Sequence, residues 1–334
     1  MKLTSHIEQL QLRHTFTISR GSQDVVPVVV TALESDGVRG LGEAAPSDFY
    51  GETAESVEGA LRRLDGFLAD CDPLHYRDLL EGAAERLGEN RGALCALDLA
   101  LFDWVSRRFG QPLHRLLGLD PGKIPLSSFT VGIDTTERMV EKLREASHYP
   151  IIKVKLGIPE DIEVVRSLRK ETDATFRVDA NCGWTVRETI EKSAELAALG
   201  VEFIEQPLPP AELEAMEEVY RESRLPVIAD ENSVVPADVP RLVGKFHGIN
   251  IKLVKCGGIL PALRMVHLAR TFGMKVMFGC MIESSVGITA AAQIGALADY
   301  LDLDGNVLIT NDPYAGVRNE SGRLILPEGW VERR

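Results

Sequence analysis

Five stretches near the middle of the chain decide the fold: IIKVKLG (151–157), RVDANCGW (177–184), FIEQPLP (203–209), IADENS (228–233) and INIKLVKCGG (249–258). Each begins as an apolar run typical of a buried β-strand, and each run ends in charged residues followed by turn or helix-start residues. Five such runs in succession predict one repeated structural element that carries its polar groups at the carboxyl end of the strand.

The charged residues that end these runs recur at a nearly constant spacing. The steps from position 155 to 179, 205, 230 and 252 are 24, 26, 25 and 22 residues. That is the length of one strand and one helix joined by two short loops. Repetition of this unit builds a parallel sheet whose charged groups all meet at one mouth. The groups concerned are Lys153, Lys155, Asp179, Glu205, Asp230 and Lys252.

Three of these groups are carboxylates on consecutive strands. Three carboxylates held together without a cation would repel one another and raise one another's pKa values, so the arrangement favours a bound metal. Oxygen donors suit Mg²⁺ or Mn²⁺ better than zinc or copper. Any one of these residues alone is more often a helix cap or a solvated carboxylate, so the argument rests on the set. Asn181 and Glu231 follow two of the acids closely and are candidates to orient ligands or lysines.

Lysines on both sides of such a metal indicate proton transfer. Lys153 and Lys155 share one face of their strand, where each ammonium depresses the other's pKa, so one of them could be a neutral base. Lys252 lies four strands further round the barrel, almost opposite. Two such bases could move a proton between the faces of one carbon while the metal stabilises an enediolate. Lys255 is either a second polar group of the site or a helix-start lysine.

Composition excludes several classes of protein. The net charge of -13 argues against a nucleic-acid backbone or an anionic membrane as the main partner. The five cysteines are widely spaced without a C-x-x-C pair, as expected of reduced thiols in a cytoplasmic protein. The N-terminal residues lack the apolar core of a signal peptide, and no run approaches the roughly 18 apolar residues of a membrane span.

The 334 residues are enough for a barrel of about 250 residues and a smaller domain. Residues 1–60 alternate like antiparallel strands with a polar loop at 19–24, and residues 52–118 have helical patterns that include a buried helix at 93–105. Strands followed by helices without a βαβ order predict a separate α+β unit. We therefore expect an α+β capping domain at 1–120, a barrel at 121–310, and a segment at 311–334 that returns to the capping domain.

The whole pattern resembles the enolase superfamily, and within it the muconate-lactonizing subgroup and its dipeptide epimerases. The resemblance covers nearly the whole chain and depends on IKVK, RVDAN, FIEQP, IADEN and INIK. It implies an α/β fold, a (β/α)7β modified TIM barrel with an N-terminal α+β capping domain. Lysine bases that work with Mg²⁺ on an enediolate are an established feature of that superfamily.

The resemblance also implies roles for individual residues. Lys155 and Lys252 would be the acid/base catalysts, and Lys153 would bind a carboxylate and lower the pKa of Lys155. The ligands of one Mg²⁺ per chain would be Asp179, Glu205 and Asp230.

The eighth strand carries LDLDG (301–305), in which Asp302 and Asp304 have the spacing that puts both carboxylates on one strand face. This resembles the D-x-D of dipeptide epimerases, which holds the α-ammonium of the first residue while the C-terminal carboxylate lies on the metal. Two acids near a turn are otherwise usually solvated. By the same resemblance, Thr130 and the backbone of Cys280 and Ile282 are candidate peptide contacts. The proposed chemistry needs no cysteine nucleophile.

Side-chain preference is expected to come from Arg20 in the capping loop and from Phe49 and Tyr50. Arg20 could pair with an acidic substrate side chain, but Asp24 in the same loop could neutralise it, so the preferred dipeptide stays open. The expected reaction is epimerisation of a dipeptide at its C-terminal α-carbon, and a second copy of the chain in a homo-oligomer is one expected partner. The alternatives on the same scaffold are an N-acyl (succinyl) amino-acid racemase and an o-succinylbenzoate synthase.

The residues argue against two other classes of function. A non-catalytic binding barrel has no use for lysines on both sides of a metal. A Schiff-base aldolase needs one lysine and no metal.

Overall fold

A three-stranded antiparallel sheet of order β1-β2-β3 opens the chain, in a computed structural model that describes all 334 residues. Its strands are β1 (Lys2–Ile18), β2 (Gly21–Ser35) and β3 (Val38–Ala44). The predicted loop at 19–24 is wrong in extent, because Ile18 pairs with Gly21 and Thr17 with Ser22. The connection is a two-residue turn, and polar side chains on an exposed hairpin end had suggested a longer loop.

Helices α1, α2 and α4 pack against this sheet, and α3 and α5 pack against α4. The longest, α4, is buried along most of its length and runs several residues beyond the predicted 93–105. Gly42 of β3 allows close packing, since a Cβ there would lie 2.1 Å from the carbonyl oxygen of Ala96. The helices are Ala54–Arg62, Asp65–Ala69, Tyr76–Leu87, Arg91–Phe109 and Leu113–Leu116.

Eight parallel strands follow in sequential order, β4 to β11. A parallel bridge between Ser127 and Leu301 joins the first of them to the last and closes the ring. The predicted fold, a modified TIM barrel with an α+β capping domain, is confirmed. The strands are Phe129–Val131, Ile151–Lys155, Thr175–Asp179, Val201–Glu205, Val227–Ala229, Gly248–Ile251, Lys275–Gly279 and Tyr300–Asp302.

The connections between barrel strands depart from regular alternation at two places. After β8 the crossover is a 3-10 segment, Pro236–Leu242, because Pro240 lacks the N–H that an α-helix interior requires. After β9 a single turn, α10, precedes the main helix. Helices α6 to α12 are Thr136–Glu145, Asp161–Arg169, Val186–Ala198, Met216–Glu222, Leu253–Cys256, Ile259–Thr271 and Ser285–Gln293.

The last residues form short strands and return to the first domain. Arg107 of α4 contacts Glu332 at 2.8 Å and the carbonyl of Val331 at 2.7 Å, and Arg333 contacts Glu8 at 2.7 Å. These contacts join the last residues to the first domain, and the divisions near residues 120 and 310 stay a prediction. No helix of the chain combines the length and apolar character needed to cross a membrane. The strands β12 to β15 are Tyr314–Ala315, Arg318–Glu320, Arg323–Ile325 and Glu332–Arg333.

Candidate functional site

The register of the barrel strands aligns the predicted metal ligands at one end. Lys155 of β5 lies beside Asp179 of β6, and Asp179 lies beside Glu205 of β7. Asp230 follows directly after β8. All three carboxylates are buried, and one oxygen from each lies within 4.8 Å of the others. Three neighbouring strand ends thus bring three oxygen donors together, as the spacing of the sequence indicates.

Lysines flank this cluster from opposite sides. On one side Lys155 Nζ lies 2.7 Å from Asp179 Oδ2, and on the other Lys252 Nζ lies 2.8 Å from Asp230 Oδ2. The order Lys155, Asp179, Glu205, Asp230, Lys252 follows five consecutive strands or the loops directly after them. The two lysines therefore approach the space above the acids from different flanks.

Lys153 lies beneath the cluster and is almost completely buried. Its Nζ is 2.7 Å from Glu205, 2.7 Å from Asp302 and 3.2 Å from Asp179. Burial alone would lower the pKa of Lys153, but these carboxylates outweigh it and hold the pKa well above its usual range. The expectation that Lys153 is depressed by its neighbouring lysine is therefore wrong, because it considered the strand alone and not the acids across the barrel.

The three acids titrate differently from one another. Burial would raise the pKa of Asp179, but Lys155 and Lys153 lower it to about 2, and Lys252 and Lys255 similarly hold Asp230 below its usual range. Of the three acids, only Glu205 has a raised pKa, which burial and the charge of Asp179 bring to about 7. The prediction of mutual elevation thus applies to one acid of three, since lysines neutralise the other two.

Glu205 also has the least complete set of partners. Its Oε1 accepts a hydrogen bond of 2.7 Å from Asn250, whereas buried Oε2 has no hydrogen bond, although Lys153 Nζ is nearby. Three buried carboxylates this close repel one another, and a hard divalent cation relieves their repulsion. The donor set therefore fits such an ion, which Asp179, Glu205 and Asp230 could hold.

Several residues of the site were not identified from the sequence. Lys255, for which the sequence left two alternatives open, fits both, since it lies in the helical turn α10 and its buried ammonium contacts Asp230. Asn250 supports Glu205 as described. Gln206 accepts hydrogen bonds from the backbone N–H of Asp230 (2.9 Å) and of Asn232 (3.2 Å), tying two strand ends together. Asn250 precedes Lys252 by two residues, so the strand period could have placed it on the same face.

A cavity of about 700 Å³ lies between this cluster and the capping domain. Lys153, Asp179 and Glu205 lie below its floor and do not line it. All the other predicted site residues line it: Arg20, Phe49, Tyr50, Thr130, Lys155, Asn181, Asp230, Glu231, Lys252, Cys280, Ile282, Asp302 and Asp304.

The two strand-eight acids have different surroundings. Asp302 is bound by Lys153 and accepts hydrogen bonds from Ser128 (2.8 Å) and Thr130 (3.2 Å). Lys153 and its other partners hold the pKa of Asp302 below its usual range against the effect of burial. Asp304 takes part in no ion pair and accepts from the backbone N–H of Thr130 at 2.6 Å. Burial and the charge of Asp302 raise the pKa of Asp304 to about 7. This wall of the cavity therefore has an acid without a cation.

Arg20 and Phe49 of the capping domain lie against each other, and Arg20 also contacts the barrel. Arg20 lies 2.7 Å from Glu231, donates to the carbonyl of Asn181 at 2.9 Å and covers the Phe49 ring at 4.5 Å. Asp24 instead accepts a hydrogen bond of 2.6 Å from Thr15. The expected neutralisation of Arg20 by Asp24 is thus wrong. Arg20 lies in the turn before β2 and pairs with Glu231, whereas Asp24 lies within β2 and pairs with Thr15 of β1.

The two residues expected to orient ligands also have unsatisfied atoms. Asn181, with a positive φ of 44°, and Glu231 each have one buried side-chain oxygen without a hydrogen bond. Both oxygens belong to residues close in sequence to a candidate ligand, one after Asp179 and one after Asp230.

The segment after β10 joins the cavity to the capping domain. Burial and Asp304 raise the pKa of the Cys280 thiol, which makes it a poor nucleophile. Two residues beyond Ile282, the backbone N–H of Ser284 donates to Glu43 of β3 at 2.8 Å, and the Ser284 hydroxyl contacts the same carboxyl group. The capping domain therefore holds this wall through Glu43.

Glu43 provides a test of that contact through pH. Burial, then Glu283, raise the pKa of Glu43 to about 8, so the folded protein holds a proton that the unfolded chain loses near pH 4.5. The proton on Glu43 therefore contributes to the free energy of unfolding. This contribution is complete below the pKa of the unfolded chain and is lost as the pH rises through the pKa of the folded protein. Between pH 6 and pH 9, wild-type protein should lose roughly 3 kcal/mol more stability than Glu43→Gln, whose amide mimics the protonated acid.

Thermal unfolding midpoints at the two pH values measure this difference. Glu34→Gln, on the exposed part of β2, is the control and should follow the wild-type curve. Parallel pH curves for wild type and Glu43→Gln would contradict a proton held at Glu43.

Comparison with known proteins identifies the family. Residues 135–328 match the family described as enolase C-terminal domain-like, and residues 2–118 match the N-terminal domain of mandelate racemase and muconate lactonizing enzyme. The chain belongs to the enolase superfamily. Its resemblance in sequence to that superfamily is thereby confirmed.

Relatives in the superfamily include several epimerases. An L-Ala-D/L-amino acid epimerase of Flavobacterium johnsoniae is 42% identical over 322 residues, which are 96% of each chain. A dipeptide epimerase of Enterococcus faecalis, solved with Mg and L-Leu-L-Tyr, superposes with a TM-score of 0.92 at 29% identity, covering 99% of both chains. An N-succinyl Arg/Lys racemase of Bacillus cereus superposes at 0.93 with 27% identity, covering 100% of this chain and 96% of its own.

Proposed function

We propose that this protein epimerises dipeptides at the α-carbon of the C-terminal residue, with one Mg²⁺ per chain held by Asp179, Glu205 and Asp230. The observation that carries the proposal is Asp304, a buried acid without an ion-pair partner on the cavity wall. A free α-ammonium group supplies the missing charge, and an N-acylated amino acid does not. The epimerase names of the relatives support the same reaction.

The ion would act on the carboxylate end of the dipeptide. When bound, Mg²⁺ supplies positive charge that stabilises the enediolate formed on loss of the α-proton. The chain's own contribution is to hold three oxygen donors close together in a buried site. Asn250 fixes the carboxylate of Glu205, and Gln206 fixes the backbone at Asp230. Lys153 lies beneath the three acids and adds a fixed positive charge next to Glu205.

The proton transfer is assigned to Lys155 and Lys252. One lysine in its neutral form takes the α-proton from one face of the carbon, and the other, as an ammonium, gives a proton to the opposite face. The two roles are reversed for the other epimer. The positions of the lysines on opposite flanks of the acid cluster support this two-base scheme.

The cavity also indicates a preference for the substrate side chain. The guanidinium of Arg20 is committed to Glu231 and to a backbone carbonyl, and it lies over Phe49. An acidic side chain would have to compete with a buried carboxylate for this charge. We therefore propose neutral C-terminal residues as the preferred class.

Incubation with an L-Ala-L-Xaa library in D₂O, followed by mass spectrometry, tests the proposed function. The expected result is deuterium at one α-carbon of free dipeptides, with faster exchange for neutral than for acidic C-terminal residues. The second candidate is N-succinyl amino-acid racemisation, which the Bacillus cereus structure favours. Deuterium uptake by N-succinyl amino acids and by no free dipeptide would reject the first candidate.

A variant of Asp304 tests ammonium recognition directly. Asp304→Asn keeps the shape of the side chain and removes the charge, so kcat/KM for dipeptides should fall roughly 10- to 100-fold, as for a lost charged hydrogen bond. Asp48→Asn, an exposed acid at the rim of the same cavity, is the matched control and should change little. Equal activity of Asp304→Asn and wild type would show that the ammonium group binds elsewhere.

The five cysteines are all unpaired, which supports the proposal of a reducing, cytoplasmic location. A homo-oligomer stays a prediction.

A further inference from the structure

The long capping-domain helix α4 reaches the barrel at a buried carboxyl group. Asp98 is fully buried, its Oδ1 accepts a hydrogen bond of 2.6 Å from the N–H of Ile259, and its Oδ2 accepts one of 3.2 Å from Leu260. These are the first two N–H groups of α11, which lack partners within their own helix. A residue of one domain therefore caps a helix of the other.

The chain just before α11 leaves no free space against α4. Gly257 and Gly258 have φ values of 95° and 118°, which side-chain-bearing residues rarely adopt. A Cβ on Gly258 would lie 2.3 Å from Asp98 Cγ, and one on Gly257 would lie 2.9 Å from a methyl group of Leu94. This two-glycine corner therefore moves only if α4 moves with it.

The corner is directly joined to Lys252. The single turn α10 begins immediately after Lys252, and both glycine N–H groups donate to the carbonyl of Leu253, at 3.0 and 2.8 Å. The N–H of Cys256 donates to the carbonyl of Lys252 at 3.2 Å. The chain from the corner back to Lys252 is thus one hydrogen-bonded turn, without a flexible link that could absorb a shift.

We propose that Asp98 is a positioning residue for Lys252, so that the capping domain sets the alignment of one of the two bases. The inference rests on the proposed two-base epimerisation. Asp98 makes no hydrogen bond to β5, which carries Lys155. The turn α10 also carries Lys255, which contacts Asp230 of the shared acid cluster, so a smaller effect reaches both faces. The direct path from Asp98 leads to Lys252, and the larger effect is expected on the face of that lysine.

The measurable consequence is an unequal loss of deuterium exchange from the two epimers. Each epimer presents its α-proton to one lysine, and a lysine that takes a proton can return deuterium from its exchanged ammonium group. In Asp98→Ala, deuterium uptake by the epimer that faces Lys252 should fall roughly 10- to 100-fold, the cost of misplacing a reacting group by about 1 Å. Uptake by the epimer that faces Lys155 should fall much less. Interconversion of the two epimers should slow as much as uptake by the epimer that faces Lys252, because it requires both lysines.

The control is Asp103→Ala. Asp103 lies on the same helix, and its carboxylate accepts from the N–H of Leu41 at 2.8 Å and pairs with Arg107, all within the capping domain. General loosening of the helix should lower both exchange rates equally in this variant. Asp98→Asn, which retains one acceptor oxygen, should restore part of the lost exchange and serves as the test variant if Asp98→Ala does not fold.

The outcomes separate the inference from the function on which it rests. An equal fall of both rates in the Asp98 variants, no fall at all, or the same asymmetry in Asp103→Ala overturns the role of Asp98 alone. Failure of wild-type protein to exchange any dipeptide overturns the proposed function, and the positioning role with it.

Discussion

Lys252→Ala is expected to stop interconversion of the two epimers, by roughly 10³-fold or more, while one epimer still takes up deuterium from D₂O. The remaining lysine, Lys155, can still remove and return a proton on its own face of the α-carbon. Lys155→Ala should give the mirror image, with exchange confined to the other epimer. Mass spectrometry of each pure epimer after incubation in D₂O measures both effects.

The pattern across the two variants distinguishes the two-base scheme from other uses of the same lysines. A binding protein without catalysis predicts no effect of either variant. A Schiff-base enzyme predicts that borohydride traps substrate on one lysine and that EDTA has no effect. Lys275→Ala, an exposed lysine at the opposite end of the barrel, is the control and should retain full activity. Loss of exchange from both epimers in both variants would contradict separate bases.

The fold and the metal ligands could be predicted because both depend on period. A strand side chain alternates between two faces and a strand–helix unit repeats at about 25 residues, so Asp179, Glu205 and Asp230 had to converge on one mouth. The same argument gave Lys153 and Lys155 a shared face. These are local rules, and the sequence contains all the information they require.

The remaining features depend on contacts across the barrel. Nothing near Lys153 in sequence indicates that it lies between Glu205 and Asp302, contributed by the fourth and eighth strands. The charge of its surroundings, and hence the direction of its pKa shift, was therefore predicted with the wrong sign. Arg20 and Glu231 form an ion pair across more than two hundred residues of chain for the same reason.

Asp98 shows why a helix pattern conceals a functional contact. In ALCALDLALFDWV it is one of two acids within an apolar run, the other being Asp103, and sequence reasoning gave neither a role. Buried charges are uncommon without partners, so an acid in a buried helix is itself a signal that a polar group of another element lies opposite. The identity of that element, the start of α11, follows only from the packing of the two domains.

Removal of divalent cations is the second prediction with a large effect. EDTA should abolish exchange into both epimers, and Mg²⁺ should restore it, because both half-reactions require the same stabilised enediolate. Mg²⁺ at about 100 times its dissociation constant should also stabilise the folded protein by about 2.7 kcal/mol. Thermal unfolding with and without the ion measures this without reference to activity.

Glu205→Gln distinguishes loss of Mg²⁺ binding from loss of folding stability. In the absence of Mg²⁺, Glu205 is a buried acid whose pKa is raised to about 7, and an amide of the same shape removes its repulsion with Asp179 and Asp230. The variant should therefore match or exceed wild-type stability in EDTA, and it should lose both the stabilisation by Mg²⁺ and at least 10²-fold of the exchange rate. Loss of activity without loss of stability is the distinguishing feature.

Glu283→Gln is the matched control for this variant. Glu283 is also buried near the cavity wall, and burial raises its pKa to about 7, but it accepts from the N–H of Met281 and lies outside the acid cluster. Its replacement should leave the Mg²⁺-dependent stabilisation intact. If Glu205→Gln keeps the same response to Mg²⁺ as wild type and Glu283→Gln, the ion binds elsewhere. In that case the three acids serve only to hold the lysines in place.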